Sequence, residues 1–131
     1  MRTGAKRAEE AESSSIRESR LRVALELIAR RHCEPDLCVN DVAAAQGISV
    51  RYLQKLFESK GISFSSHIND LRLQTAHVAL RRCGAKSGSV TNIALSCGFR
   101  DLSYFNRLFR RHFGDTPTRV RSARDKPSRA G

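Results

Sequence analysis

The sequence predicts an all-α domain of about seven helices, built as two helix-turn-helix units joined by a long linker helix. Apolar residues recur at the helical period through most of the chain. Gly and Pro, at 8 and 3 of 131 residues, are too few for an all-β fold with many turns. One pattern of helix, glycine turn and second helix occurs twice, which predicts the two units.

Composition divides the chain into three parts. Residues 1–14 lack apolar periodicity and are predicted to form a disordered lead. Residues 15–121 are predicted to form the folded domain, and residues 122–131 a disordered, basic tail. Within the domain we place the first helix-turn-helix unit at about 39–59, the linker helix at about 64–82 and the second unit at about 89–112.

Two further helices flank these units. The first is predicted to run from Ile16 to about His32, with Ser14 or Ser15 as its cap. The last, a short turn, begins at Thr116-Pro117, because Thr caps a helix and Pro suits its first position. The apolar stripe of the first helix is predicted to contain Ile16, Leu21, Val23, Ala24, Leu25, Leu27 and Ile28, and that of the linker helix Ile68, Leu71, Thr75, Val78 and Ala79.

The two units match each other position by position, with one residue inserted in the second turn. The matched pairs are Val42 with Ile93, Ala43 with Ala94, Gly47 with Gly98, Tyr52 with Tyr104, Leu53 with Phe105, Lys55 with Arg107, Leu56 with Leu108 and Phe57 with Phe109. A small side chain at Ala43 or Ala94 lets two helices cross closely. Glycine permits the positive φ of a tight turn, so Gly47 and Gly98 are predicted to be structural turn residues.

Each second helix of a unit leaves one polar stripe outside its apolar face. The stripes comprise Arg51, Gln54, Lys55 and Glu58 in the first unit, and Ser103, Asn106, Arg107 and Arg110 in the second. Both have the spacing of a single helix face. Arg and Lys can bind guanine in the major groove, and Gln and Asn can bind adenine. The stripes therefore predict base readout in DNA. An ordinary solvated face is the alternative for either stripe alone, and the match between the two favours DNA.

Charge supports a polyanionic partner. The formal net charge is +11, and sixteen Lys or Arg against six Asp or Glu lie in residues 37–131. A basic surface of this kind attracts phosphate. Charge alone does not separate DNA from RNA or from an anionic membrane, and a non-specific nucleic-acid packaging protein is the main alternative. Packaging rests on phosphate contacts and does not need matched Gln54 and Asn106.

Other functional classes have little support in the sequence. The cysteines, Cys33, Cys38, Cys83 and Cys97, fit no common zinc spacing, so we expect no metal and no cofactor. The four histidines are scattered, and Gly84–Gly88 lacks the spacing of a phosphate-binding loop, so we expect no enzyme. Without a signal segment or a spanning apolar run, we expect a cytoplasmic protein with no membrane partner.

The second unit carries the most specific signature. It reads Ile93-Ala94-x-x-x-Gly98-Phe99, then Ser103-Tyr104-Phe105-x-Arg107-x-Phe109-Arg110-Arg111-x-x-Gly114-x-Thr116-Pro117, and Arg121. This signature strongly resembles the AraC/XylS family of bacterial transcription regulators. The linker agrees through Leu71-Arg72-Leu73-x-x-Ala76, and the first unit through Ser49-x-x-Tyr52-Leu53-Gln54-x-Leu56-Phe57 and Gly61.

The resemblance implies a seven-helix, two-lobed domain whose third and sixth helices enter adjacent major grooves of double-stranded DNA. The base-reading residues it implies are Arg51, Gln54 and Lys55, then Leu102, Ser103, Asn106 and Arg107. The residues it implies near phosphates are Asn40, Thr91 and Asn92, with Arg110 and Arg111. A linker of about 18 residues spans roughly 27 Å, so a monomer could reach two groove segments about one DNA turn apart. The resemblance also implies RNA polymerase as a further partner and activation of transcription as the role.

Three positions depart from the family pattern. Glu58 stands where a basic or neutral residue is usual, which predicts a weaker or more selective first lobe. Val120 replaces an aromatic residue, which predicts looser packing of the last turn, and Cys38 is a poor helix cap. The chain has no room for the effector or dimerisation domain that most members carry. It is interpreted as either a stand-alone member or a fragment, with its initial Met slightly favouring the first.

Overall fold

The computed structural model describes residues 11–83 and 89–125, in which all regular structure is helical. The helices are α1 (Ser14–Arg31), α2 (Val39–Ala45), α3 (Val50–Ser59), α4 (Phe64–Cys83), α5 (Val90–Ser96), α6 (Leu102–Phe113) and α7 (Pro117–Asp125). The predicted all-α fold, with two helix-turn-helix units and a long linker helix, is confirmed. The predicted loop at Gly84–Gly88 lies outside the described residues, as do residues 1–10 and 126–131.

Side-chain caps begin three of these helices. The Ser49 hydroxyl accepts a hydrogen bond from the Tyr52 N–H at 3.0 Å at the start of α3. Asp101 does the same for the Tyr104 N–H at 3.1 Å at the start of α6, and Ser89 caps α5. Each cap satisfies a backbone donor that the first turn of a helix leaves unpaired.

The start of α1 differs from the prediction. The helix begins at Ser14, and its cap is Ser13, whose hydroxyl accepts from the Ile16 N–H. The prediction of Ser14 or Ser15 as the cap, with the helix starting at Ile16, was therefore wrong. Three consecutive serines can all cap a helix, and the sequence alone does not choose among them.

The start of α2 shows how the poor cap Cys38 is tolerated. The Asp41 carboxylate accepts the Cys38 N–H at 3.1 Å and lies 3.4 Å from the Cys38 Sγ, which donates to the same oxygen. These bonds to Cys38, from its backbone and then its thiol, hold the pKa of Asp41 below its usual value. An acidic residue in the first turn also complements the helix dipole, so α2 begins normally.

The first compact unit contains residues 11–32 and 36–69. Its buried apolar residues are Leu21, Ala24, Ile28, Leu37, Val42, Ala43, Ile48, Tyr52, Leu53, Leu56, Phe57 and Ile68. Leu37 and Ile48 lie in connecting segments, and the other residues come from α1, α2, α3 and the beginning of α4, so α3 packs against the rest of its unit through this core. Deleting a fully buried aromatic ring such as Phe57 typically costs about 3–5 kcal/mol.

The second compact unit contains residues 33–35, 70–83 and 89–125. Its buried core comprises Leu73, Ala76, Leu80, Ile93, Ala94, Cys97, Phe99, Phe105 and Phe109. The short segment 33–35 joins this unit through Arg72, which is 9% exposed and whose guanidinium donates to the Glu34 carbonyl at 2.8 Å. That bond gives a partner to a charge that would otherwise be costly to bury.

Two predicted apolar stripes were partly wrong. On α1, Ile16 and Val23 are 46% and 41% exposed, while Leu21, Ala24 and Ile28 are buried. On α4, Val78 is 50% exposed, and Leu71, Thr75 and Ala79 are only half-buried. The buried residues of α4 are Ile68, Arg72, Leu73, Ala76 and Leu80. Because α4 begins in one unit and ends in the other, a single stripe extrapolated along it does not match both cores.

The end of the chain also differs from the prediction. Thr116 caps α7 by accepting the Arg119 N–H at 3.2 Å, as predicted, with Pro117 in the first helical position. The helix then continues to Asp125, into the segment predicted as a disordered tail from Ser122. Val120 is half-buried against the core of the second unit, so the last helix packs although an aliphatic residue replaces the expected aromatic one.

Candidate nucleic-acid interface

A positive-φ glycine and the same backbone hydrogen bond form the turn of each helix-turn-helix. Gly47 has a φ of 66° and Gly98 a φ of 106°, a region that favours glycine. The residue after each glycine donates its N–H back across the turn, Ile48 to the Ala43 carbonyl and Phe99 to the Ala94 carbonyl, both at 3.1 Å. This is the Schellman arrangement that ends many helices. The prediction of both glycines as turn residues agrees with this geometry.

Close helix crossing in both units follows from the small residues before the turns. Ala43 is 1% exposed and Ala94 is fully buried, so neither position has room for a longer side chain without displacing the second helix. The apolar residues that follow the glycines, Ile48 and Phe99, are buried as well. Each turn is therefore closed by backbone hydrogen bonds on one side and packed against the core on the other.

In the first unit, α3 has one buried and one exposed face. Tyr52, Leu53, Leu56 and Phe57 are buried in the core. Arg51, Gln54, Lys55 and Glu58 are all exposed, and their spacing places them along one side of the helix. The structure thus brings together the predicted base-reading residues of this unit, although no nucleic acid is present.

In the second unit, α6 repeats this division. Phe105 and Phe109 are buried, and Ser103, Asn106, Arg107 and Arg110 are exposed. Leu102, predicted as a fourth base-reading residue, is half-buried and packs against the core. Its side chain is apolar and less exposed than those of Ser103 and Asn106, so it can offer a ligand only a small apolar contact.

Tyr104 lies on the exposed side of α6, unlike its repeat partner Tyr52. Tyr104 is 38% exposed and Tyr52 is 8% exposed. The guanidinium carbon of Arg107 is 5.8 Å from the centroid of the Tyr104 ring, within the range of a cation–π contact. The sequence repeat pairs these tyrosines, but the structure gives them different surroundings.

The predicted phosphate contacts are all at exposed positions. Asn40 lies in the first turn of α2, and Thr91 and Asn92 lie in the first turn of α5. Arg110 and Arg111 lie in the last turn of α6. The amides and the hydroxyl can donate hydrogen bonds to phosphate oxygens, and the guanidinium groups can add charge.

Charge differs between the two helices. The exposed stripe of α3 contains two cations, Arg51 and Lys55, and one anion, Glu58. The stripe of α6 contains Arg107 and Arg110 and no anion, and Arg111 is exposed beside it. The exposed stripe of α6 is therefore more positively charged than that of α3.

Sequence reasoning missed a polar cluster behind α3. The Glu12 carboxylate accepts hydrogen bonds from the Arg20 guanidinium and, at 2.5 Å, from the Tyr52 hydroxyl. The bonds from Arg20 and Tyr52 lower the pKa of Glu12. Burial, with the bond to Glu12, raises the pKa of Tyr52 to about 12. Residues 12 and 52 are 40 positions apart, and no local pattern in the sequence pairs them.

Comparison with known proteins identifies the family. A sequence model described as a helix-turn-helix domain matches residues 42–123. A crystal structure of a transcriptional regulator with an AraC-type DNA-binding domain, from Chromobacterium violaceum, is 31% identical. It superposes with a TM-score of 0.70 over 85% of this chain and 96% of its own. The chain belongs to the AraC family. It carries the DNA-binding helix-turn-helix domain of these transcription regulators.

Two longer AraC-family relatives are named as activators. The transcriptional activator RhrA of Rhizobium meliloti is 40% identical over 83 residues, which are 63% of this chain and 26% of that protein. The HTH-type transcriptional activator RhaS of Klebsiella pneumoniae is 36% identical over 119 residues, which are 90% of this chain and 40% of that protein. This chain therefore spans less than half the length of these relatives.

Residues 11–83 and 89–125 contain no group of His, Cys, Asp or Glu side chains that could hold a metal ion. Across the same residues, each helix is too short or too polar to span a bilayer.

Proposed function

We propose that this chain reads two neighbouring major-groove segments of specific double-stranded DNA, one with α3 and one with α6. The observation that carries this proposal is the pair of exposed stripes, each on the second helix of a unit with the same Schellman turn. A helix held by a buried face and a fixed turn can present side chains to base edges with little loss of conformational entropy. The AraC-family membership supports the same reading.

The stripes divide by their chemistry. Arg51, Lys55 and Arg107 can donate two hydrogen bonds to guanine, and Gln54 and Asn106 can bind adenine. Ser103 can bind either kind of base edge, and Leu102 can offer only apolar contact, for example to a thymine methyl group. We assign Asn40, Thr91, Asn92, Arg110 and Arg111 to phosphates, where they would set the register without reading sequence.

The biological role that fits this activity is regulation of transcription without catalysis. RhrA and RhaS are named as transcriptional activators, and we propose activation for this chain as well. As an activator it would contact RNA polymerase at a promoter, so the polymerase would be its second macromolecular partner. We place the protein in the cytoplasm, together with the DNA that it binds. One chain carries both reading helices, so a monomer suffices to bind a complete site.

Selection of bound duplexes from a random DNA pool, with the purified chain at physiological salt, tests this proposal. We expect an enriched motif of two short blocks whose centres are about one helical turn apart. Enrichment of a single block would contradict reading by both units. Tight binding without any enrichment would contradict specific recognition and would favour the packaging function. We call the DNA segment bound by α3 the first block and the segment bound by α6 the second block.

A further inference from the structure

Glu12 connects the chain before α1 to the first reading helix. It precedes the cap Ser13, and its side chain is only 13% exposed. The Arg20 guanidinium donates to both carboxylate oxygens, at 2.6 to 3.0 Å, and the Tyr52 hydroxyl donates to one of them. A carboxylate that accepts from a guanidinium and a phenol forms charge-assisted bonds, which are stronger than bonds between neutral groups.

Arg20 extends this cluster to α2. Its backbone carbonyl accepts a hydrogen bond from the Gln46 side-chain amide at 2.8 Å. Gln46 is the C-cap of α2 and directly precedes the turn glycine Gly47. Polar bonds therefore tie the segment before α1, the middle of α1, the end of α2 and the start of α3 to one another, in addition to their shared apolar core.

The position of Tyr52 makes this cluster relevant to DNA reading. Tyr52 follows Arg51 directly and lies within one turn of Lys55, while its own side chain is buried. Rotation of α3 about its axis would carry Arg51 and Lys55 away from their present direction. The same rotation would break the bond from Tyr52 to Glu12 and leave a buried hydroxyl without its acceptor, which is unfavourable.

The second unit uses its matching tyrosine differently. Tyr104 is 38% exposed and contacts the Arg107 guanidinium on the outside of α6. The repeat pairs Tyr52 with Tyr104, yet the first is buried and the second is exposed beside Arg107.

We propose that Glu12 is a positioning residue for DNA reading by the first unit. Its carboxylate holds Tyr52, and through Tyr52 the rotation of α3, so that the chain before α1 controls how the first block is read. The inference rests on the proposed function, because it assumes that α3 reads bases. A displacement of residues 11–13 would then alter reading of the first block and leave the second block unaffected.

The test uses the full chain and duplexes in which one or the other block is scrambled. Glu12→Gln keeps the size of the side chain and removes its charge, and Tyr52→Phe keeps the ring and removes the donor. Glu18→Gln is the matched control, since Glu18 is an exposed carboxylate of the same unit that pairs with Lys60 at 2.7 Å. Binding is measured at a temperature at which circular dichroism shows every variant to be folded.

We expect Glu12→Gln and Tyr52→Phe each to weaken binding to the first-block duplex about tenfold, as loss of a charge-assisted bond would. The double variant should be no weaker than either single variant, and Glu18→Gln should bind like the wild type. Base preferences within the first block should also change, because a rotated helix presents its side chains to different edges.

Two results would overturn the inference while leaving the proposed function intact. One is wild-type affinity of Glu12→Gln for the first block. The other is an equal loss of affinity of Glu12→Gln for every base variant of that block, which would mean that Glu12 affects only the stability of the unit. If the wild-type chain itself failed to distinguish intact from scrambled blocks, the proposed function would be wrong and this inference with it.

Discussion

The guanidinium of Arg107 lies over the ring of Tyr104, with its central carbon 5.8 Å from the ring centroid. Both residues are on the exposed side of α6, one turn apart. A cation over an aromatic face at an exposed site is stabilised by about 0.5–1 kcal/mol. The ring therefore restricts the rotamers of Arg107 before any ligand is bound, which lowers the entropy that binding would cost.

Replacing Tyr104 by Leu should consequently weaken binding to the second block by about 0.5–1 kcal/mol, through loss of the contact with Arg107. Arg107→Ala should weaken it by about 1–3 kcal/mol and relax the preference at one base position. Fluorescence anisotropy titrations of the wild type, both single variants and the double variant form the thermodynamic cycle. If the two losses simply add in the double variant, Tyr104 does not act through Arg107.

Glu58 should oppose DNA binding by the first unit, because its exposed carboxylate shares a helix face with Arg51 and Lys55. We expect Glu58→Gln to raise affinity for first-block and unrelated duplexes alike, by about 0.5–1 kcal/mol at low salt, with a smaller gain at high salt. Titrations at several salt concentrations measure both effects.

The control for Glu58→Gln is Glu26→Gln, which changes the net charge equally at an exposed position on α1. If Glu26→Gln raises affinity as much as Glu58→Gln does, the effect belongs to the total charge. The location of Glu58 on the reading helix would then have no special consequence.

Substitution of either turn glycine should destabilise the protein, because both have a positive φ. Valine at a φ of 106° is strained, and the cost should be at least about 1–3 kcal/mol of the free energy of unfolding. At Gly47 an added Cβ meets no atom within 4 Å, so Gly47→Ala should cost only the backbone strain, about 1–2 kcal/mol. Urea unfolding followed by circular dichroism measures both costs, and a wild-type midpoint for Gly98→Val would refute the turn assignment.

The second unit should lose stability as the pH falls below about 6.5. The His77 ring stacks on the Phe113 ring, with 4.3 Å between the ring centroids. Burial, and then the charges of Arg81 and His112, lower the pKa of His77 from its ordinary 6.5. The unfolded chain then binds the proton more readily than the folded chain. The stabilising effect of the neutral ring is complete above the unfolded pKa and disappears as the pH falls through the folded pKa.

His77→Phe keeps a stacked ring and removes the titrating group. Thermal melts between pH 7.5 and 5 should show a smaller decline for this variant than for the wild type. Parallel declines would mean that other groups cause the pH dependence.

The fold was predictable because each unit is specified locally. Ser49, Asp101, Gly47 and Gly98 mark helix starts and turns by their own backbone chemistry, and a repeat shows the same marks twice. The exposed stripes followed from the same reasoning, since a helix with one apolar face has only one other face to present.

Long-range contacts were not predictable in this way. Arg72 is buried and bound to the Glu34 carbonyl, 38 positions away, and no local pattern in the sequence pairs the two. Glu12 was assigned to a disordered lead, yet it accepts bonds from Arg20 and Tyr52. Such polar pairs depend on the packing of whole units, and single side chains of these types are ordinarily exposed.

The exposed stripes of α3 and α6 should read separate blocks of one DNA site. The most direct test repeats the selection from a random duplex pool with Lys55→Ala and, separately, with Arg107→Ala. We predict that Lys55→Ala loses base preference only in the first block and Arg107→Ala only in the second. Loss of preference in the same block for both variants, or weaker binding with an unchanged motif, would contradict the claim.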